Sequence, residues 1–164
     1  MKLASSQQLY AYWNALRGAR GAPERNDIEP GAIRGVLSDT FILEYSAKAR
    51  FPFRVVGGRT SALFGRELRE AAFLGLWRED DAHEIVRVIE GVADGAQPFL
   101  IGARSSPEGA AALDLEVLLL PLRALQIASL RALTLTPSPG LRLRQPPHRG
   151  FLRRGHLFVY SSGS

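Results

Sequence analysis

Residues 12–30 have the sequence YWNALRGARGAPERNDIEP, and more of the fold follows from this segment than from any other. An amphipathic pattern runs into Gly18, which predicts a helix that ends at this glycine. Upstream, Ser5 and Gln8 have the spacing of a capping box, so the helix is predicted from Ser5 to about Arg17. A charged turn bounded by prolines follows the helix.

One face of this predicted helix is apolar and carries Leu9, Tyr12, Trp13 and Leu16. Such residues at helical spacing are typical of a buried core or of an interface with a partner. An apolar stripe outside a sheet must be covered by something. We therefore expect this face to be an interaction surface and the contact of a homodimer.

The turn after the helix concentrates charge, with Arg17, Arg20 and Arg25 close to three acidic residues. Two roles are open for these arginines. They can pair with the acidic residues and pin the helix to the domain. They can also form a ligand site for an anion such as a phosphate or a nucleotide, because guanidinium groups bind such anions through paired hydrogen bonds.

Length and composition predict one cytoplasmic domain with its own core. The chain has 164 residues and no cysteine, which excludes disulfides, thiolate metal sites and a cysteinyl–flavin adduct. We expect no signal peptide and no membrane association, since the longest apolar run, 117–122, is too short to cross a bilayer. Residues 117–164 contain seven arginines and no acidic residue, so the basic character belongs to this end of the chain.

The remaining periodicity predicts an α+β fold. A short helix is expected at 60–64 and the clearest helix at 79–94. Extended segments lie on both sides of these helices, at 41–45, 51–56, 98–104, 112–120 and 122–135. Two strands, then helices, then three strands indicate a five-stranded antiparallel sheet with helices on one side and an additional N-terminal helix.

Six short motifs occur in order: YWxxLRGxRxxPxRxDIxP at 12–30, LxDxFILE at 37–44, FRVVG at 53–57, FGREL at 64–68, FxxLW at 73–77 and EVLLLPL at 116–122. Together they resemble a PAS sensory domain, and in particular the single-domain PAS family widespread in alphaproteobacteria. The resemblance extends over residues 7–135. It divides the chain into an N-terminal helical cap (1–36), a PAS-like domain (37–136) and a basic tail (137–164) that we expect to be flexible.

The resemblance implies a bacterial sensory or interaction adaptor that acts in signal transduction. It also implies a homodimer that regulates a separate signalling protein, with small-molecule binding as one route. We expect no enzymatic activity, because the chain contains no GxSxG, P-loop or HExxH motif. The first alternative is a receptor for an anionic nucleotide, bound by Arg17, Arg20 and Arg25.

A PAS-like fold raises the question of a cofactor. Haem is disfavoured, because His83 falls on the polar face of helix 79–94 together with Arg87 and Glu90. His148 and His156 have no partner at the spacing of metal ligands, so no metal site is expected. A noncovalent small ligand stays open.

The last alternative is association with nucleic acid through the basic tail. The arginines concerned are Arg142, Arg144, Arg149, Arg153 and Arg154. Clustered positive charge attracts phosphate backbones without sequence specificity. The aromatic residues of the tail are scattered, so nucleic acid is not an expected partner.

Overall fold

A computed structural model describes residues 3–105, 113–123, 130–137 and 158–161. This part of the chain contains the helices α1 (Ala4–Arg17), α2 (Gly58–Phe64) and α3 (Glu79–Gly95). Its strands are β1 (Thr40–Glu44), β2 (Phe53–Val56), β3 (Phe99–Ser105), β4 (Leu113–Pro121), β5 (Leu130–Pro137) and β6 (Phe158–Ser161). Short 3-10 turns lie at Arg25–Asp27, Pro30–Ile33, Leu37–Asp39 and Phe73–Leu76.

The described strands form one antiparallel sheet in the spatial order β2-β1-β5-β4-β3-β6. The fold class is α+β, as the sequence predicts. The sheet differs from the five-stranded prediction because β6 pairs with the outer side of β3, where Phe99 lies opposite Ser161. Residues 138–157 and 162–164 of the predicted tail, with its five candidate arginines and two histidines, lie outside the described residues.

One face of the sheet packs against α2 and α3. Helix α3 places Ile85, Val88, Ile89 and Val92 in this core. Phe41, Phe53 and Phe73 are buried beside them, with ring centroids 5.0 to 5.9 Å apart. Close-packed aromatic rings fill this side of the sheet, so the larger of the two apolar cores lies here.

The opposite face of the sheet is covered by α1, which packs across β4 and β5. Leu9 and Trp13 are each 3% exposed and pack against Leu118, Leu120 and Leu122. The prediction that Leu9 and Trp13 form an interaction surface is therefore wrong. The sheet of the same chain already covers these two side chains, because alternate residues of β4 point to this face.

A β-bulge in the β1–β2 pair determines which face of the sheet each β2 side chain points to. Ile42 pairs with Val55 and Leu43 pairs with Phe53, so Arg54 has no partner position in β1. The extra residue turns Phe53 and Val56 toward the α2–α3 core and leaves Val55 on the α1 side of the sheet.

The outer side of β2 is hydrogen-bonded to the segment that precedes the Phe73–Leu76 turn. Phe53 donates its backbone N–H to the carbonyl oxygen of Ala71 at 3.0 Å, and Glu70 donates to the carbonyl of Phe53 at 2.8 Å. The guanidinium of Arg54 forms ion pairs with Glu44 and Glu70 across the same edge. Local chain thus satisfies backbone groups that an edge strand usually exposes.

The turn from β2 into α2 requires a glycine at position 57. A Cβ atom on Gly57 would lie within 2.5 Å of the carbonyl oxygens of Leu37 and Ser38. The adjacent Gly58 has open space around the same position.

Within the described residues, no helix is long and apolar enough to cross a membrane.

Candidate functional site

An apolar cavity of about 570 Å³ opens between α1 and the β1–β2 edge of the sheet. It exists because α1 covers β4 and β5 and leaves the neighbouring pair uncovered. Ile42 and Val55 face this uncovered space from the sheet, and Tyr12 and Leu16 face it from α1. We call this cavity the α1 groove, and its lining includes several residues of the turn segment 23–38.

The α1 groove has an exposed apolar lining. Leu37 and Val55 are 40% and 43% exposed, and they are the large apolar side chains most open to water in the described part of the chain. Both line the groove. Exposed aliphatic surface is normally scattered, so two such residues in one cavity make it the candidate binding site.

Polar groups are few in the groove, and most are already engaged. Thr40 donates its Oγ1 hydroxyl to the carbonyl of Val36 at 2.9 Å. The Tyr12 Oη accepts a hydrogen bond of 2.8 Å from the backbone N–H of Glu29, which ties α1 to the following turn. A phenol that accepts one hydrogen bond keeps its own O–H to donate.

Arg25 lies at the margin of the groove on a fixed backbone. Its N–H donates to the carbonyl of Arg123 at 3.2 Å, and the N–H of Arg123 donates to the carbonyl of Pro23 at 2.8 Å. A capping box between Glu24 and Asp27 closes the same 3-10 turn. The guanidinium of Arg25 is exposed and makes no hydrogen bond or ion pair with any residue in the described ranges.

Arg17 and Arg20 are engaged in local structure. Arg17 donates to Asn14 Oδ1 at 2.9 Å, and its guanidinium carbon lies 5.1 Å from the centre of the Trp13 ring. Arg20 donates to the carbonyl of Leu16 at 2.7 Å and forms an ion pair with Asp27 at 2.9 Å. Both side chains secure the C-terminal end of α1, where cations also favour the helix dipole.

Hydrogen bonds within this turn lower the pKa of the Asp27 carboxyl. Its pKa lies below the usual value, first because the backbone N–H of Glu24 donates to it, and second because Arg20 donates to it. The first of the two roles foreseen for the arginines is therefore observed for Arg20. Arg17 and Arg25 have no acidic partner in the described part of the chain.

The residues predicted as sites are thus divided. All four apolar residues of the predicted interaction helix border the groove, but Leu9 and Trp13 are buried in the core under α1, whereas Tyr12 and Leu16 are half-buried. Of the three candidate ligand-binding arginines, Arg25 alone lines the groove. Since Arg17 and Arg20 are held in other contacts, the geometry does not support one anion site made by all three.

Leu37 and Val55 are site residues that were not predicted from the sequence. A signal was present in β2, since Val55 and Val56 place apolar residues on both faces of an edge strand. The bulge that directs Val55 toward the groove depends on pairing with β1, and local periodicity does not reveal such pairing.

Metal ligands are not clustered in the described ranges, where no group of three His, Asp or Glu side chains could hold an ion. His83 is exposed on α3, on the polar face where its spacing places it.

A comparison with curated proteins finds no match. A family model described as PAS domain matches residues 1–136, which is most of the chain. The chain belongs to the PAS domain family.

Proposed function

We propose that this PAS domain is a non-enzymatic sensory adaptor whose input is a small apolar molecule in the α1 groove. Its output is a changed contact with a separate signalling protein in the bacterial cytoplasm. Membership of the PAS family gives the sensory class. The observation that carries the finer proposal is the position of exposed Leu37 and Val55 in one cavity of about 570 Å³.

The size and lining of the α1 groove suit a small ligand. Its volume falls in the range of roughly 300 to 1,000 Å³ that is usual for pockets of drug-sized molecules. The other side of the sheet offers a contrast, because Phe41, Phe53 and Phe73 pack there ring against ring. A ligand on that side would have to displace buried aromatic side chains, whereas the groove accepts one without repacking.

The groove also lies where a bound ligand could change the position of α1. One wall is α1, and the opposite wall is the sheet, so a ligand between them contacts both elements. Tyr12 and Leu16 extend from the side of α1 that faces the groove, while Ala11 and Ala15 are exposed on its surface. A ligand that binds one position of α1 more tightly shifts the population toward that position. A partner in contact with the exposed residues of α1 would detect this shift.

A neutral apolar fluorophore tests the input. We expect N-phenylnaphthylamine to bind the full chain with increased emission, and Val55→Lys to weaken this binding about tenfold or more. The reason is that a buried aliphatic contact of about 1.5 kcal/mol or more is lost. The matched control is Ala62→Lys, which places the same charge on an exposed residue of α2 outside the groove.

The proposal is contradicted if the fluorophore fails to bind, or if it binds both lysine variants as well as the unmodified chain. Backbone amide shifts supply a second measurement. Ligand should move the resonances of residues 9–16 in α1 more than those of α3. Equal shifts in the two helices would refute transmission through α1.

A further inference from the structure

We infer that the α1 groove selects an amphipathic monocarboxylate, with the carboxylate on Arg25 and the hydrocarbon body against Leu37 and Val55. This inference rests on the proposed function and adds the chemical class of the ligand. Arg25 supplies the charge of the lining, and aliphatic side chains supply most of the rest.

The charge of the lining favours a single negative group. Arg25 is the one charged side chain among the described residues that line the groove, and no aspartate or glutamate is among them. The described lining therefore offers an anion one cation and no carboxylate. A polyphosphate would need several cations, and Arg17 and Arg20 are bound in other contacts.

The backbone holds the Cα of Arg25 in place, while its guanidinium can bind a ligand. The backbone hydrogen bonds to Arg123 and the 3-10 turn of Arg25–Asp27 fix the position of its Cα in the lining of the groove. The side chain itself has no partner in the described ranges. A planar guanidinium offers two parallel N–H donors, which match the two oxygens of a carboxylate.

A second donor lines the same cavity. Since the Tyr12 Oη accepts from the N–H of Glu29 and donates to no residue in the described ranges, its proton can serve an acceptor in the groove. The remaining walls are hydrocarbon, supplied by Leu16, Leu37 and Val55 among others. A carboxylate joined to an aliphatic chain satisfies both parts of this lining.

Decanoate and decanol are the probes, because they share the same chain length and differ in the headgroup. We expect decanoate to displace N-phenylnaphthylamine from the full chain at lower concentration than decanol does. Arg25→Gln should weaken decanoate about two- to fivefold, the upper part of the range for an exposed ion pair, and should leave decanol unchanged. Arg34→Gln is the matched control, since Arg34 is an exposed arginine of the neighbouring turn that does not line the groove.

The assignment of the headgroup is overturned if decanol competes as well as decanoate. It is also overturned if Arg25→Gln and Arg34→Gln bind decanoate equally. In both of these results the fluorophore still binds, so the proposal that the α1 groove binds a small apolar molecule is not contradicted. Failure of the fluorophore and both probes to bind would refute the groove and the ligand class together.

Discussion

The indole Nε1 of Trp13 donates a buried hydrogen bond of 2.8 Å to the carbonyl oxygen of Pro121, across 108 positions of the sequence. This contact joins the middle of α1 to the last residue of β4. The ring of Tyr10 lies beside the indole, with centroids 6.0 Å apart. The position of α1, and with it one wall of the groove, depends on this bond.

Replacing the indole therefore should destabilise the domain. We expect Trp13→Phe to lower the free energy of unfolding by about 1–3 kcal/mol, because the carbonyl of Pro121 loses its donor in a buried site. Chemical denaturation measures this change. Tyr10→Phe is the control, since its hydroxyl has no partner in the described ranges and should matter little. Equal stability of the two variants would show that the indole bond contributes nothing.

Adjacent glycines should differ sharply in their tolerance of a methyl group. Gly57→Ala forces a Cβ against the carbonyl oxygens of Leu37 and Ser38, and we expect a loss of about 1–3 kcal/mol in the free energy of unfolding. Gly58→Ala adds the same methyl group in open space and should change stability by less than about 1 kcal/mol. Thermal and chemical unfolding check both. A similar loss in the two variants would contradict the backbone contact.

The contribution of the Asp39–Arg59 ion pair to the free energy of unfolding should depend on pH. Arg59 Nε lies 2.8 Å from Asp39 Oδ1, and burial of the carboxyl raises its pKa above the usual 3.8 although Arg59 lowers it in part. Because the folded pKa exceeds the unfolded one, ionisation of Asp39 costs stability as pH rises from 3.8 through the raised value. Arg59→Gln should raise the pKa further.

The variant should accordingly lose about 1 kcal/mol at neutral pH and less below pH 3.8, where the carboxyl is neutral in both states. Denaturation at the two pH values, together with NMR titration of the Asp39 carboxyl carbon, measures the effect. Arg66→Gln, at an exposed arginine without an acidic partner in the described ranges, serves as control. A loss that is the same at both pH values would contradict the coupling.

The homodimer expected from the sequence can form through α1 only on the outward side of the helix, because the sheet covers Leu9 and Trp13. The exposed residues there include Ala11, Asn14 and Ala15, and no charged residue occurs between Ala4 and Leu16. We expect Ala11→Glu to convert a dimer into a monomer in light scattering without loss of folding. His83→Glu, on the exposed face of α3, should leave the dimer intact. A dimer that persists in Ala11→Glu would place the contact elsewhere.

Local sequence was sufficient for elements whose signals are short in range. Gly18 ends α1 with a φ of 52°, as its place after Arg17 predicts. The helix predicted at 79–94 is α3, which buries Ile85, Val88, Ile89 and Val92 at helical spacing. The helix stops at Gly95, but Ala96 adopts the left-handed conformation that glycine usually takes.

Features that depend on pairing between distant segments could not be predicted. The extended segment expected at 122–135 begins as β5 at Leu130, and β6 forms a sixth strand with β3. The apolar face of α1 was ambiguous for the same reason, since Trp13 could be buried by a partner or by the sheet of its own chain. Only the geometry of β4, with Pro121 beneath the indole, decides between these outcomes.

The covering of β2 by residues 70–71 has a consequence for how this domain can associate. A strand whose outer hydrogen-bonding groups are free recruits strands from other chains, in ordered assembly or in aggregation. Here the amide and carbonyl of Phe53 are already taken, and Arg54 bridges Glu44 and Glu70 over the same border. A strand from another chain therefore cannot pair with β2 at Phe53, although the exposed apolar side chains of Leu37 and Val55 lie in the same domain.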